Sequence, residues 1–455
     1  MNFNFPTEET IAAVASAVAA GQGGIAIIRI SGVRAKEAAK NIVHTPGRAQ
    51  WKSHSILYGH VIDQITKKHI DEVLVLIMDG PKSFTGEDVV EIHCHGGLIN
   101  VQRVLEELLR QTFVRRAFPG EFSQRAVLNG RLNLTQAEAI NDLIKARSQK
   151  AAELAMAGVD GAIYAQINQL KERLLDQLCE IEARIDFEED LPALDKSEVF
   201  TNITSINKEL KALIKQNKQA SYIRNGLKVA LIGLPNVGKS SLLNLLSKKE
   251  KAIVTQVPGT TRDLLENEII LEGIPITLVD SAGIRDTDNI VESIGVQRSE
   301  RMLVTADIIM FIFDISKPWN KSNQNLLSKI PQHIPVLLIG NKSDLNIKDQ
   351  SVKADVIISA LNGNGEKSLI KSLLKTCGAN KAQNIEISLN ERQIDLVISA
   401  SNALNRVLTQ ETQLLPWDFW TIDLREAIQT LGELTGDEIS EALLDRIFSR
   451  FCIGK

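Results

Sequence analysis

Eight consecutive residues, Gly233, Leu234, Pro235, Asn236, Val237, Gly238, Lys239 and Ser240, constrain this chain more than any others, because they fit the pattern G-x-x-x-x-G-K-S. They follow the apolar run Val229–Ile232 and precede the helical run Ser241–Leu246. A glycine-rich turn between strand and helix lets backbone N–H groups approach phosphate oxygens, and the helix N-terminus adds favourable electrostatics. Further apolar runs follow at Ile274–Asp280, Ile308–Asp314, Val336–Gly340 and Val356–Ser359, with helical stretches between them. Near-continuous apolar strands separated by helices predict a buried, mostly parallel sheet. Residues 220–380 therefore read as an α/β domain built around a phosphate-binding loop. Within the loop, Asn236, Val237, Gly238, Lys239, Ser240 and Ser241 are the expected nucleotide contacts. Lys239 is expected to reach the β- and γ-phosphates, and the Ser240 hydroxyl to bind Mg²⁺.

The base is read further on. Asn341, Lys342, Ser343 and Asp344 form N-K-x-D directly after the strand Val336–Gly340. A carboxylate at Asp344 can accept from both N1–H and the 2-amino group of guanine, a donor pair that adenine lacks. Ser359 and Ala360 end the next strand and resemble the last guanine-contacting element. GTP is thus the expected substrate. Asp280, Ser281, Ala282 and Gly283 fit D-x-x-G, in which the aspartate organises Mg²⁺ and the glycine N–H senses the γ-phosphate. The segment Pro258, Gly259, Thr260, Thr261, Arg262, Asp263 resembles a switch loop, with Thr261 the second hydroxyl ligand of Mg²⁺. Ile284 follows Gly283 where Ras-like proteins place a water-orienting Gln, so the catalytic group must come from elsewhere. On the residues alone, Asn236 reads equally as a turn former or as a holder of a monovalent cation beside the phosphates.

With 455 residues the chain exceeds the ~250–300 that one core supports. Residues 1–122 alternate short apolar runs with turns, as at Gly24–Ser31 and Glu72–Met78, and read as an α+β domain with a helix at Ile99–Leu109. Residues 123–219 turn helical, with Ala137, Ile140, Leu143 and Ile144 on one face and Ile167, Leu170, Leu174, Leu178 and Ile181 on another. Residues 381–455 are helical again through Ile394–Leu408, Leu424–Leu434 and Ile439–Phe451. The expected architecture is α/β and α+β multidomain, a helical domain interrupted by the nucleotide-binding domain, its two parts packed together. The formal net charge of −4 predicts that any nucleic acid is met by a local basic patch or a basic partner. Four cysteines without framework spacing predict reduced thiols, and no run reaches a membrane span's length, so a soluble, cytoplasmic protein is expected.

Both ends of the chain narrow this to one family. Cys452, Ile453, Gly454 and Lys455 match C-[ILV]-G-K; Arg29-Ile30-Ser31-Gly32, Ser83 to Asp88 (SFTGED), Glu91 before His95-Gly96-Gly97, and Pro119 to Phe122 (PGEF) occur in the order found there. Over essentially its whole length the chain resembles the MnmE (TrmE) family of tRNA wobble-uridine modification GTPases. The resemblance implies an N-terminal domain similar to folate-binding domains that forms a homodimer. It also implies Arg29, Glu91, Arg131 and Lys455 as binders of 5-formyltetrahydrofolate or a related one-carbon donor. Some family members carry Lys where this chain has Arg131, and Thr where it has Ser281. It implies K⁺ at Asn236, with Thr255, Val257 and Thr260 completing that site, and Gln256 in the same nucleotide-contacting loop. It implies Glu292 as the residue that positions the attacking water, and Cys452 as a functional thiol. The expected activity is GTP hydrolysis coupled to addition of an aminomethyl or carboxymethylaminomethyl group to C5 of wobble uridine in tRNA. The expected partner is the FAD-binding protein MnmG.

Two other patterns carry less. His93, Cys94 and His95 alternate along a strand, so three metal ligands cannot converge from that run and no zinc is assigned. A cysteine fourth from the end resembles a prenylation box, but Gly454 and Lys455 fit it poorly. The competing reading of the whole chain is a regulatory, ribosome-assembly type of GTPase without modification chemistry of its own. Nucleoside analysis of tRNA from a deletion strain separates the two.

Overall fold

The computed structural model describes residues 9–455 except 20, 22, 48, 188, 189, 191, 193, 194, 248–265, 281–305, 348–351, 380–384, 413–417 and 438, and leaves aside the side chains of 266, 280, 410–412 and 441. The chain divides into two compact units, residues 1–141 with 431–455, and residues 142–430.

The first unit is built on a seven-stranded sheet of order β3-β4-β5-β6-β2-β1-β7. Its strands are β1 (Thr10–Val14), β2 (Ile25–Ser31), β3 (Val43–His44), β4 (Ser55–Ile62), β5 (His69–Met78), β6 (Val89–His95) and β7 (Val114–Arg116). All neighbours are antiparallel except β1 and β7. Alternation sorts the two faces. Ala26, Ile28 and Ile30 of β2, Val73, Val75 and Ile77 of β5, and Val90, Ile92 and Cys94 of β6 form one buried core with α1 (Ala35–Ile42) and α2 (Leu98–Leu109). The intervening residues point the other way, which puts Arg29 and Glu91 on the second face as cross-strand partners. On that same side Ile56, Tyr58 and Leu74 are exposed.

Three of the sequence motifs meet in a buried ionic network. Ser31 lies 2.7 Å from both Thr85 and Glu87. Arg125, on α3 (Glu121–Leu128), reaches Glu87 at 3.1 Å and Glu121 at 3.0 Å, and Arg115 grips Glu121 at 2.6 and 2.8 Å. The Phe118 amide also donates to Glu121. Burial raises the Glu121 carboxyl, but hydrogen bonds from Arg115 and Phe118 and the charge of Arg125 outweigh it, so the group stays below its ordinary value. Its contribution to stability is therefore complete above the unfolded carboxylate's titration and is lost as pH falls through the lower folded value. Glu121→Gln removes the buried carboxylate between two arginines, leaving Arg125 with Glu87 and Arg115 with Glu9, and is expected to cost ~2 kcal/mol. Urea titration at neutral pH measures the loss, and the difference between variant and parent should shrink in acid.

The helix Glu441–Phe448 packs onto the first turns of α4 (Leu134–Lys145), where Leu134, Ala137, Leu444, Phe448 and Phe451 make a separate cluster. Gln124 of α3 donates to Asp445 at 2.8 Å. The chain then returns to the sheet. Gly454 takes φ 92°, and a Cβ there would sit 2.2 Å from the Val14 carbonyl at the end of β1, so any side chain would dislodge the tail.

The second unit carries the six-stranded sheet β13-β12-β11-β8-β10-β9. Its strands are β8 (Leu227–Ile232), β9 (Glu266–Leu271), β10 (Ile274–Asp280), β11 (Ile308–Asp314), β12 (Val336–Asn341) and β13 (Val356–Ile357). Every neighbouring pair is parallel except β9 with β10. The expected strand at Val356–Ser359 stops at Ile357, and Ser359 instead bridges to Asn364. The edge strand β9 is an addition to the expected set.

The helices of this unit are α5 (Gln149–Val159), α6 (Ala162–Asp186), α7 (Lys196–Asn225), α8 (Lys239–Ser247), α9 (Lys321–Ser328), α10 (Glu366–Thr376), α11 (Glu391–Thr412) and α12, whose full span is Asp418–Thr435. The face predicted on α6 is buried throughout, from Ile167 to Ile181. On α4, by contrast, Ile144 is exposed. Helices before and after the sheet pack together as expected. Asn207 of α7 donates to Asn405 and accepts from Ser401 of α11, and the Phe200 and Trp420 rings meet edge to face at 4.4 Å. Arg147 ties both parts of the unit, donating to Glu268 on β9 and to the Asn225 carbonyl at the end of α7.

Candidate functional site

The loop from Gly233 to Gly238 joins β8 to α8 at the carboxyl edge of the parallel sheet, where open α/β sheets place their ligands. Gly238 has φ 99°, and a Cβ on it would meet Asn341 Nδ2 at 2.2 Å. Only glycine allows the loop this close to the base-reading segment. Asn236 stands exposed at the loop's tip with φ 60°, a left-handed conformation that Asn tolerates better than most residues. Lys239 is buried and folded over the loop, its ammonium donating to the Gly233 carbonyl at 2.7 Å and the Leu234 carbonyl at 3.1 Å. In the first turn of α8, Ser240 and Ser241 follow it toward the outside, Ser241 next to the exposed start of the helix.

Asn341 joins three predicted elements. Its Nδ2 donates to the Val237 carbonyl at 2.8 Å, and its Oδ1 accepts from the Ala360 amide at 2.9 Å. The phosphate loop, N-K-x-D and the Ser359-Ala360 turn are thus pinned to one buried amide. Asp344 is exposed, and one carboxylate oxygen accepts from the buried Ser359 hydroxyl at 2.5 Å, while the other has no partner among the described residues. Lys342 has φ 67° and pairs with Asp314 at 2.8 Å. Asp314 is absent from the residues singled out by sequence. The available signal is a charged residue closing the otherwise apolar run Ile308–Phe313 at the ligand-binding edge of the sheet.

Thr255, Gln256, Val257, Pro258, Gly259, Thr260, Thr261, Ser281, Ala282, Gly283, Ile284 and Glu292 lie outside the described residues, as does the side chain of Asp280. The backbone of Asp280 ends β10, next to β8 and its loop.

A second cluster lies in the first unit. Arg29 pairs with Glu91 at 2.8 Å, and its guanidinium lies 5.2 Å from the Phe84 ring and 5.7 Å from the Phe122 ring. The resemblance implies both charges as binders of one ligand; here they pair with each other. Lys455 is half-buried and close enough to Arg29 for the two charges to interact. Burial and then the charge of Arg29 lower the pKa of its ammonium, while Cys452 acts the other way. Cys452 is itself exposed, its carbonyl accepting from the Gly120 amide at 3.3 Å. The Lys455 ammonium and the Arg29 guanidinium are thus like-charged neighbours, and Arg29 is the one of the two that pairs with Glu91 among the described residues. Arg131 stands apart, exposed in the turn after α3, and among the described residues its side chain makes no bond to the other three.

His93, on the same side of β6 as Glu91, lies 3.4 Å from it, whereas His95 pairs with Asp71 at 2.6 Å. The histidines thus serve different carboxylates, and Cys94 is buried on the opposite face. His93 is therefore a neighbour of this cluster that the motifs do not single out.

Comparison with known proteins decides the family. A model described as "MnmE helical domain" matches residues 134–452, and one described as "GTP-binding protein TrmE N-terminus" matches residues 10–131. The chain belongs to the MnmE family. It is 66% identical, over the full length of both chains, to a protein of Prochlorococcus marinus strain SARG named tRNA modification GTPase MnmE. A protein of the same name from P. marinus strain MIT 9303 is 58% identical, again over the full length of both. Another from Synechococcus sp. strain CC9605 is also 58% identical, over 99% of this chain and 100% of the relative. MnmE membership agrees with both halves of the sequence reading, the nucleotide motifs and the terminal motifs. Among the described residues, no helix is long and apolar enough to cross a membrane.

Proposed function

We propose that this chain hydrolyses GTP and, with an FAD-binding MnmG partner, installs an aminomethyl or carboxymethylaminomethyl group on C5 of wobble uridine in tRNA, drawing one carbon from a tetrahydrofolate donor. The observation that carries the GTP half is Asn341, whose side chain locks the phosphate loop to the base-reading turns. A phosphate in that loop offers Lys239 charged acceptors in place of two neutral carbonyls. The Ser240 hydroxyl, next in the chain, is a hard oxygen donor of the kind Mg²⁺ takes together with substrate phosphates, and Thr261 and Asp280 are the other Mg²⁺ residues proposed. The side-chain carbonyl of Asn236, exposed at the loop tip, suits K⁺, with Thr255, Val257 and Thr260 closing the site. Bound there, K⁺ supplies positive charge to the transition state. Glu292 orients the attacking water.

The nearness of the Lys455 ammonium to the Arg29 guanidinium supports binding of a folate tail, whose carboxylates are anionic. Arg131 joins this set by the family resemblance alone. The exposed side chains Ile56, Tyr58 and Leu74 on the outer sheet face support homodimerisation through that face. The proposed division is an N-terminal domain over 1–122, a helical domain over 123–219 and 381–455, and a G domain over 220–380, in a cytoplasmic protein.

Cys452, exposed and close enough to Lys455 to act on its ammonium, is the proposed thiol of the modification step. Cys452→Ser should leave GTP turnover within about twofold while modified wobble uridine falls ~100-fold, the size expected for loss of a positioned reacting group. Mass analysis of tRNA nucleosides from a strain carrying only the variant is the measurement. Unchanged modification removes Cys452 from the chemistry.

A further inference from the structure

Strands β11 and β12 run parallel, and their register sets Asp314, the last residue of one, against Asn341, the last of the other. Asp314 is buried at the sheet's ligand-binding edge. One of its oxygens accepts from the Ser316 amide at 3.0 Å and the Ser316 hydroxyl at 2.6 Å, which fixes the plane of the carboxylate. The other oxygen faces the Lys342 ammonium at 2.8 Å. Burial opposes ionisation of Asp314, yet the bonds from Lys342 and Ser316 win and hold its pKa below the usual carboxylate range. Lys342 stands two positions before Asp344, in left-handed backbone, at the head of the turn. Asp344 is accessible, and among the described residues its side chain holds the Ser359 hydroxyl on one oxygen and nothing else. A loose ammonium this close in sequence would find in Asp344 a ready counter-ion, and guanine would have to displace it.

We propose that Asp314 is a positioning residue for guanine recognition: it sequesters the Lys342 ammonium so that the Asp344 carboxylate stays open to the base. This rests on the assignment of Asp344 as the base reader. With the lysine so held, no cation among the described residues pairs with Asp344, which suits the two donors guanine presents. The lysine stem, held at its far end, contributes apolar contact without its charge.

The test uses the full-length protein and a fluorescent GDP analogue. Asp314→Asn keeps an acceptor for Ser316 and removes the charge that holds the lysine. Its GDP affinity should fall ~10-fold, mainly through faster dissociation, as expected when a shielded charge is released beside a binding group. In a Lys342→Met background the same substitution should change affinity less than about twofold, because no ammonium remains to compete. Ser316→Ala, which loosens the carboxylate but keeps it, should act in the same direction with a loss of about threefold, and serves if Asp314→Asn does not fold. Unchanged affinity in Asp314→Asn overturns the proposal. So does an equal loss with and without Lys342, which would make Asp314 a brace of the strand end. Failure of Asp344→Asn to alter base preference would instead overturn the base-reader assignment, a separate result.

Discussion

Asp344→Asn is expected to weaken GTP binding ~1,000-fold or more and to create binding of xanthosine triphosphate. The carboxylate accepts two hydrogen bonds from guanine. An amide in its place presents a donor to one of guanine's donors, leaving both unpaired, and sites built for hydrogen bonding reject such mismatches by large factors. Xanthine carries a carbonyl in place of the 2-amino group and so accepts from the new amide. The Ser359 hydroxyl, 2.5 Å from Asp344, keeps a carbonyl acceptor in the variant and should hold the side chain in place. Titration with guanine and xanthine nucleotides measures both effects. An unchanged preference for GTP would mean that the turn does not read the base.

GTP turnover is expected to fall ~1,000-fold when K⁺ is replaced by Na⁺, the scale on which a charge stabiliser acts in phosphoryl transfer. Ile284 cannot supply the polar group that Ras-like proteins place after D-x-x-G, so charge stabilisation and water positioning need other sources. Asn236, exposed at the tip of the phosphate loop, is the proposed holder of the cation. Nucleotide affinity should change far less than turnover, since the ion acts chiefly on the transition state. Steady-state hydrolysis in both salts, for the parent and Asn236→Ala, provides the measurement. Equal turnover in K⁺ and Na⁺ sinks the cation hypothesis. A K⁺ stimulation that survives in Asn236→Ala puts the ion elsewhere.

The parts legible in the sequence are those whose signal is local. The phosphate loop announces itself because strand, glycine turn and helix are consecutive, and β8, β11 and β12 because buried parallel strands are apolar along their whole length. The helix α7 escapes delimitation, although it spans 30 residues. Asn207 and Asn217 occupy buried positions on it and interrupt its apolar stripe. They are tolerated because Ser401, Asn405 and the Leu389 amide bond to them from nearly two hundred residues away. Strand β9 hides for another reason: it is a short edge strand opened by Glu266-Asn267-Glu268, so it lacks the continuous apolar run of its neighbours. Asp314 belongs to the same class of omission, since its purpose emerges only once register sets it beside Lys342. Arg29 and Glu91 are legible as a motif, but their mutual pairing is not, because it depends on the alignment of two strands some sixty residues apart.

The seat of Gly454 against β1 gives the molecule an order of assembly. The seven-stranded sheet is made before the second unit, yet Lys455 beside Arg29 and the apolar seal of Phe448 and Phe451 over Leu134 come after it. Almost three hundred residues of the second unit must be translated in between, roughly 15–60 s at ~5–20 residues per second. Throughout that interval the early half shows an uncapped apolar surface and an unfinished cationic cluster. The corner where Lys455 meets Arg29 is thus completed only after the whole second unit has been made, although the sheet that carries Arg29 is made before it.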